Sequence, residues 1–324
     1  MNWTLTTERQ LNEHFTTTLN DFWENQVEQG TFMGKDNITV HYAWCIPAQA
    51  RHTVVISSGR IESLLKYKEL IYDLYQNGFA VFIPDHRGQG LSGRMTQDRQ
   101  HGYVDSFDDY VDDLLAFCRD IVLPRQVGKR YLLCHSMGGA IGALTLIREP
   151  DFFDKAVLAS PMFGVRPALP VWLSDLLIGV GLRWNRLRKR QSGYFFGQTP
   201  YVAFPYSLNK LTHSKIRYAL FRQLYDDHPQ IQLGGVTSEW LDAAQQAMDA
   251  IERHARTITT PLLVFSADGD TIIDNRRQRR VVTTIPDVTL KIIPHAHHEL
   301  FNESDEYRNP VLSDIFDFFH ADSA

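Results

Sequence analysis

Short β-branched runs alternate along this chain with segments of helical period, and that alternation restricts the fold more than any other feature. Thr53-Val54-Val55-Ile56 ends in Ser57-Ser58-Gly59 and is followed by Tyr67, Leu70, Ile71, Leu74 and Tyr75 at the spacing of one helix face. Phe79 to Ile83 is a second run, closed by Pro84, and Ser106 is placed to cap a helix whose apolar positions 107, 110, 111, 114, 115 and 118 share one side. Tyr131 to Cys134 enters a tight turn and a helix starting at Met137, and Ala156 to Ala159 is a further strand before Pro161. The pattern resumes at Pro261 to Phe265, with a helix near 276–282, a strand at 288–293 and a last helix near 310–319. Such an order predicts an α/β fold with a mostly parallel central sheet and helices on both faces. Upstream, residues 1–30 read as a polar leader with one amphipathic helix, and 31–47 as an antiparallel edge pair.

Residues 162–256 interrupt the alternation. They hold 12 Lys and Arg against 7 Asp and Glu, so they carry +5 in a chain whose formal net charge is −5. This asymmetry predicts a core built from residues 1–161 and 257–324, with 162–256 as an inserted, mainly helical cap facing something anionic. The negative balance of the whole molecule argues against nucleic acid as a partner. Cys45, Cys118 and Cys134 are odd in number and lack the spacing of a redox or zinc site, which suits a reducing compartment. No run of about 18 apolar residues is present, and Met1 to Asn20 is too polar for a signal peptide, so a cytoplasmic protein is expected.

His135-Ser136-Met137-Gly138-Gly139 lies where a buried strand passes into a helix, the setting in which a sharp turn holds a serine out as a nucleophile. The flanking positions must be small; Gly138 meets this fully, and Cys134 stands where a glycine is usual. A serine hydroxyl needs a base, and the base needs a partner that fixes its tautomer. Asp268, Asp270 and Asp274 follow the next core strand, and His295, His297 and His298 follow the last one. Serine, acid and histidine thus occur in that order, each at the carboxyl end of a strand, where open α/β sheets place their sites. A zinc reading of His295, His297, His298 and Glu299 meets the difficulty that consecutive residues do not converge on one tetrahedral ion.

These motifs, with Ser58-Gly59-Arg60-Ile61-Glu62-Ser63, Asp85-His86-Arg87-Gly88-Gln89-Gly90-Leu91-Ser92-Gly93, Asp109-Tyr110-Val111-Asp112-Asp113 and Leu211-Thr212-His213-Ser214, resemble the α/β-hydrolase superfamily. The match is to its monoglyceride-lipase-like branch, in particular the bacterial lysophospholipases. The resemblance implies Ser136 as nucleophile, Asp270 as acid and His298 as base, with the backbone N–H groups of Met137 and Arg60 as oxyanion donors. It also implies a serine hydrolase that releases a fatty acid from a lysophospholipid or monoacylglycerol without a metal or organic cofactor. Another esterase or aminopeptidase-like hydrolase, or a catalytically silent lipid-binding module, is the alternative. In the insertion, five of the eight residues from Arg183 to Arg190 are cationic and follow an apolar stretch. On the residues alone this is a solvated charged face; with the resemblance, Arg183, Arg186, Arg188 and Arg190 are expected to meet the phosphate of a lipid or an anionic inner-membrane surface.

Overall fold

A computed structural model describes residues 3–12, 16–166, 170–188 and 192–321. Its sheet runs β1 (Glu28–Met33), β2 (Thr39–Cys45), β3 (His52–Ser57), β4 (Phe79–Pro84), β5 (Arg130–His135), β6 (Lys155–Ala159), β7 (Leu262–Ala267) and β8 (Val288–Ile293). The spatial order is β1-β2-β4-β3-β5-β6-β7-β8. The edge pair β1 and β2 is antiparallel and joins β4 antiparallel, while β3 to β8 pair in parallel. The expected α/β architecture with a mostly parallel sheet is thus observed.

Helices cover both faces because the central strands are apolar on both. Leu132 and Cys134 of β5 belong to the core on one side of the sheet, and Tyr131 and Leu133 to the core on the other. This is the period-two alternation of a strand buried on both faces. The second face packs α1 (Thr16–Gln26), α2 (Lys68–Gln76) and α9 (Asp305–His320), through side chains such as Phe22, Leu74 and Phe316. The first packs α3 (Phe107–Phe117), capped by Ser106, and α4 (Met137–Arg148). Pro310 stands inside α9 rather than at its start, and in the preceding turn Arg308 bonds to Asp73 at 2.7 Å and to the Phe301 carbonyl at 2.8 Å.

The insertion contributes α5 (Val171–Arg188), α6 (Lys215–Asp227) and α7 (Ser238–His254). The last of these packs against α3 and α4. Trp240, Ala243, Ala244, Ala247, Met248 and Ile251 lie at helical spacing and pack into the same core as α3 and α4. Burying that stripe makes α7 part of the body that carries the sheet. A small helix, α8 (Asn275–Val282), follows β7 and is capped by Asp274, whose carboxylate accepts from the N–H groups of Arg276 and Arg277.

The chain passes from β3 outward to β4, then crosses back to β5 on the other side of β3. Consequently the loops after β3 and β5 flank the crevice where the strand order reverses, the place at which open α/β sheets accept ligands. The segment Asp85 to Gly93 buttresses this end as a structural turn. Gly88 and Gly90 adopt φ of +80° and +54°, and a Cβ on Gly90 would sit 2.2 Å from the Asp85 carboxylate. Burial pushes the Asp85 carboxyl up to about 7, against hydrogen bonds from the Leu64 and Leu91 N–H groups. Among the described residues no helix is long and apolar enough to cross a membrane.

Candidate active site

Ser136 occupies a backbone conformation that ordinary residues avoid, with φ +53° and ψ −115°, between the end of β5 and the first turn of α4. Two backbone hydrogen bonds hold it there: its N–H donates to the Ala159 carbonyl at 3.0 Å, and its carbonyl accepts from Met162 N–H at 3.0 Å. The turn is tight enough that a Cβ on Gly138 would fall 2.0 Å from the Ser57 carbonyl oxygen. Cys134 is accommodated in place of glycine because Gly142, one turn along α4, leaves room for its sulfur; a Cβ there would lie 2.5 Å from Sγ.

The Ser136 hydroxyl lies 2.9 Å from Nε2 of His298, and Nδ1 of His298 lies 2.6 Å from Oδ2 of Asp270. An ionised carboxylate only accepts hydrogen bonds, so Nδ1 carries the proton and Nε2 is left to accept from Ser136. Oδ1 of Asp270 accepts from the N–H groups of Ile272 at 2.7 Å and Ile273 at 3.1 Å. Burial works against ionisation here, but His298 and these two amides outweigh it and hold the Asp270 carboxyl below its ordinary value. The three side chains come from the ends of β5, β7 and β8, at the same edge of the sheet.

The other sequence candidates lie elsewhere. Asp268 is exposed and faces Arg279 at 3.1 Å, and Asp274 caps α8. His295 is exposed, with φ +62°. His297 stacks on His213 with ring centres 3.8 Å apart. His298 and Glu299 turn to different partners, Asp270 and Lys66, so the four residues of the zinc reading do not converge. The donor atoms of His213, His297 and Glu303 do lie within 4.8 Å of one another, a set with the composition of a metal site. The Glu303 oxygens there already accept from the N–H groups of His213, His297 and Ser304, which makes the trio a hydrogen-bonded clasp between the insertion and the histidine loop.

Met137 opens α4, so its N–H is among those left without an intrahelical acceptor and is available to a developing oxyanion. Arg60 lies on the turn after β3, which is clamped by a carboxylate the sequence did not single out. Glu62 accepts from Gly59 N–H at 2.5 Å, Tyr67 Oη at 2.5 Å and Lys66 Nζ at 2.8 Å. Lys66 also pairs with Glu299 at 2.8 Å. Burial opposes the charge on Glu62, yet Lys66 and His135 hold its carboxyl well below the usual range. His135 stands 3.3 Å from Glu62 through Nδ1 and 3.2 Å from the His298 carbonyl through Nε2. Both partners only accept, which makes His135 a double donor; burial disfavours that form, but Glu62 raises its pKa above the ordinary value. The turn bearing Arg60 and the loop bearing His298 are thus fixed to one buried ionic cluster.

Ser136 and His298 open into a cavity of about 500 Å³, within the range of ligand pockets. The insertion roofs it with Val202, Phe204, Leu211, Phe221 and Leu233, and Ile272 closes the apolar wall. Arg183 and Arg186 do not line it: both are exposed on α5. The inner side of α5 is taken up against α7, where Asn185 donates to Glu239 at 2.8 Å, and the arginines are left on the solvent side. Arg188 ends α5, and Arg190 lies outside the described residues.

Fold and site together define an α/β-hydrolase. The chain belongs to the family described as serine aminopeptidase, S33, which it matches over residues 48–305. It is 39% identical over 310 residues to lysophospholipase L2 of Escherichia coli strain K12, covering 93% of this chain and 90% of that protein. It is 26% identical over 279 residues to the monoglyceride lipase of Rattus norvegicus, covering 84% and 83% respectively. Among solved structures, a soluble variant of monoglyceride lipase from Saccharomyces cerevisiae, in complex with a substrate analog, has the same fold. It aligns with a TM-score of 0.69 at 18% identity, over 91% of this chain and 96% of that one. A carboxyl esterase from Bacillus coagulans aligns at 0.72 and 17%, over 91% and 98%. The family expected from the motifs is the family found.

Proposed function

We infer that this chain is a carboxylic ester hydrolase acting on lipid esters, with a lysophospholipid or monoacylglycerol as substrate. The observation that carries the reading is the hydrogen-bonded series Ser136–His298–Asp270 at the floor of a cavity whose roof is apolar. In this reading the Ser136 oxygen attacks the ester carbonyl carbon while its proton passes to Nε2 of His298, and Asp270 stabilises the imidazolium. The N–H groups of Met137 and Arg60 receive the oxyanion, each worth about 3 kcal/mol. The carbonyl re-forms, the glycerol oxygen leaves with the proton from His298, and the acyl group stays on Ser136. Water then adds by the same route and the fatty acid departs. In a panel of substrates, long-chain lysophosphatidylethanolamine and monoacylglycerol should be hydrolysed with kcat/KM at least about tenfold above short nitrophenyl esters. Cleavage of aminoacyl amides alone would overturn the lipid reading.

Helix α5 supports a peripheral contact with an anionic membrane. Trp172, Leu176, Val180 and Trp184 recur every four residues along it and are all exposed, by 68%, 56%, 45% and 53%. Exposed Arg183 and Arg186 lie beside this apolar stripe. The combination matches an interfacial helix, with about 1 kcal/mol per basic residue near the surface. The protein should sediment with vesicles containing about one-third anionic lipid, and less so as salt is raised. Trp172→Ser with Leu176→Ser should reduce sedimentation severalfold; equal sedimentation of this variant would remove the role of α5, and equal sedimentation of the protein with neutral vesicles would remove the preference for an anionic surface.

A further inference from the structure

Two guanidinium groups in the wall of the cavity have no carboxylate within ion-pair reach among the described residues. Arg222, on α6, lies over the rings of Phe221 at 4.7 Å and Tyr218 at 4.9 Å, and its Nη1 donates to the Tyr201 hydroxyl at 3.2 Å. Its Nε is buried and lacks an acceptor. Arg60 lies over the Trp240 ring at 5.6 Å and donates from Nη1 to the Gly234 carbonyl at 3.1 Å. Both border the cavity that contains Ser136.

Several buried cations elsewhere have carboxylate partners. Lys66 has Glu62 and Glu299; Arg217 has Glu69 and Asp305; Arg308 has Asp73. Aromatic faces and a carbonyl orient the half-buried Arg222 and Arg60 but supply no counter-charge, which an anion in the cavity would provide. Guanidinium groups match the oxygens of a phosphate in geometry as well as charge. In a lysophospholipid the glycerol unit separates phosphate from ester, so an ester held at Ser136 leaves its phosphate free to reach the wall.

We propose that Arg222, with Arg60 lining the same cavity, forms the binding site for the phosphodiester anion of a lysophospholipid head group and sets the preference of the enzyme for phosphorylated over neutral lipid esters. The proposal rests on the lipid-ester reading above, and it moves the phosphate contact from the arginines clustered in α5 to two arginines that lie far apart in the sequence.

The test compares lysophosphatidylethanolamine with monoacylglycerol of the same acyl chain, for the wild-type protein and Arg222→Gln. The ratio of kcat/KM values should fall by about 10- to 100-fold in the variant, the range for a lost hydrogen bond to a charged group, and Arg222→Lys should recover part of it. Calorimetric binding of glycerophosphoethanolamine gives a second readout that needs no turnover. It should weaken at least about tenfold in Arg222→Gln, while inorganic phosphate, lacking the glycerol, should bind the wild-type protein less tightly. Arg60→Met, which retains the backbone N–H, should act in the same direction and serves if Arg222→Gln does not fold. An unchanged ratio and unchanged binding in folded variants would overturn the proposal. A wild-type protein that binds glycerophosphoethanolamine through Arg222 but hydrolyses neither lipid would instead refute the lipid-ester reading and leave the anion site standing.

Discussion

Ser136→Ala is expected to lower kcat for lipid ester hydrolysis by roughly a millionfold, the scale on which a triad serine acts. Among the described residues no other hydroxyl is hydrogen-bonded to His298, and the hydroxyl of Ser57 faces His86 at 2.9 Å. The variant should fold normally. The turn is held by the backbone bonds of residue 136 to Ala159 and Met162, which alanine keeps, and the hydroxyl makes one contact that ends with the substitution. Thermal unfolding within a few degrees of wild type would establish this, and fluorophosphonate labelling should vanish. Residual catalysis from oxyanion donors and binding should still exceed the rate in water. Wild-type turnover by a folded Ser136→Ala protein would eliminate the mechanism, and labelling of that variant would place the reactive serine elsewhere.

How far the sequence reveals such a site depends on whether its parts are written locally. Strands β3 to β7 and their helices are legible because burial on both faces imposes continuous apolar runs and helix faces impose a period near four. The Ser106 and Asp274 caps are legible for the same reason, since a cap acts within three residues. The helix α7 carries its own signal in Ala243, Ala247 and Ile251, which lie at helical spacing and are buried in the core. Glu62, Lys66, His135 and Glu299 form their cluster only after the sheet brings the loops following β3, β5 and β8 to one edge, and no spacing announces it. The arginines make the contrast sharpest. Arg183 to Arg190 cluster in sequence, and those whose side chains are described point to solvent. Arg60 and Arg222 are far apart in sequence and share one cavity wall.

Asp270→Asn should reduce kcat by about ten-thousandfold with little change in KM, the magnitude seen when a triad acid becomes an amide. The hydrogen bonds dictate why. In the wild-type protein Oδ1 accepts from two backbone N–H groups, Ile272 and Ile273, while Oδ2 accepts from Nδ1 of His298. Asparagine can satisfy the two amides only by placing its carbonyl oxygen at the Oδ1 position, which turns its NH2 group toward His298. Nδ1 must then accept, the ring proton moves to Nε2, and the lone pair that would take the Ser136 proton is lost. Packing is preserved, so the loss falls on the chemical step rather than on binding. Asp268→Asn provides the discriminating comparison: that carboxylate is exposed against Arg279, and its neutralisation should change kcat by less than about twofold. If Asp268→Asn abolished turnover while a folded Asp270→Asn protein kept it, the assignment of the acid would be reversed. Imidazole nitrogen shifts in the two variants would register the tautomer directly, with Nε2 protonated in Asp270→Asn and Nδ1 protonated in Asp268→Asn.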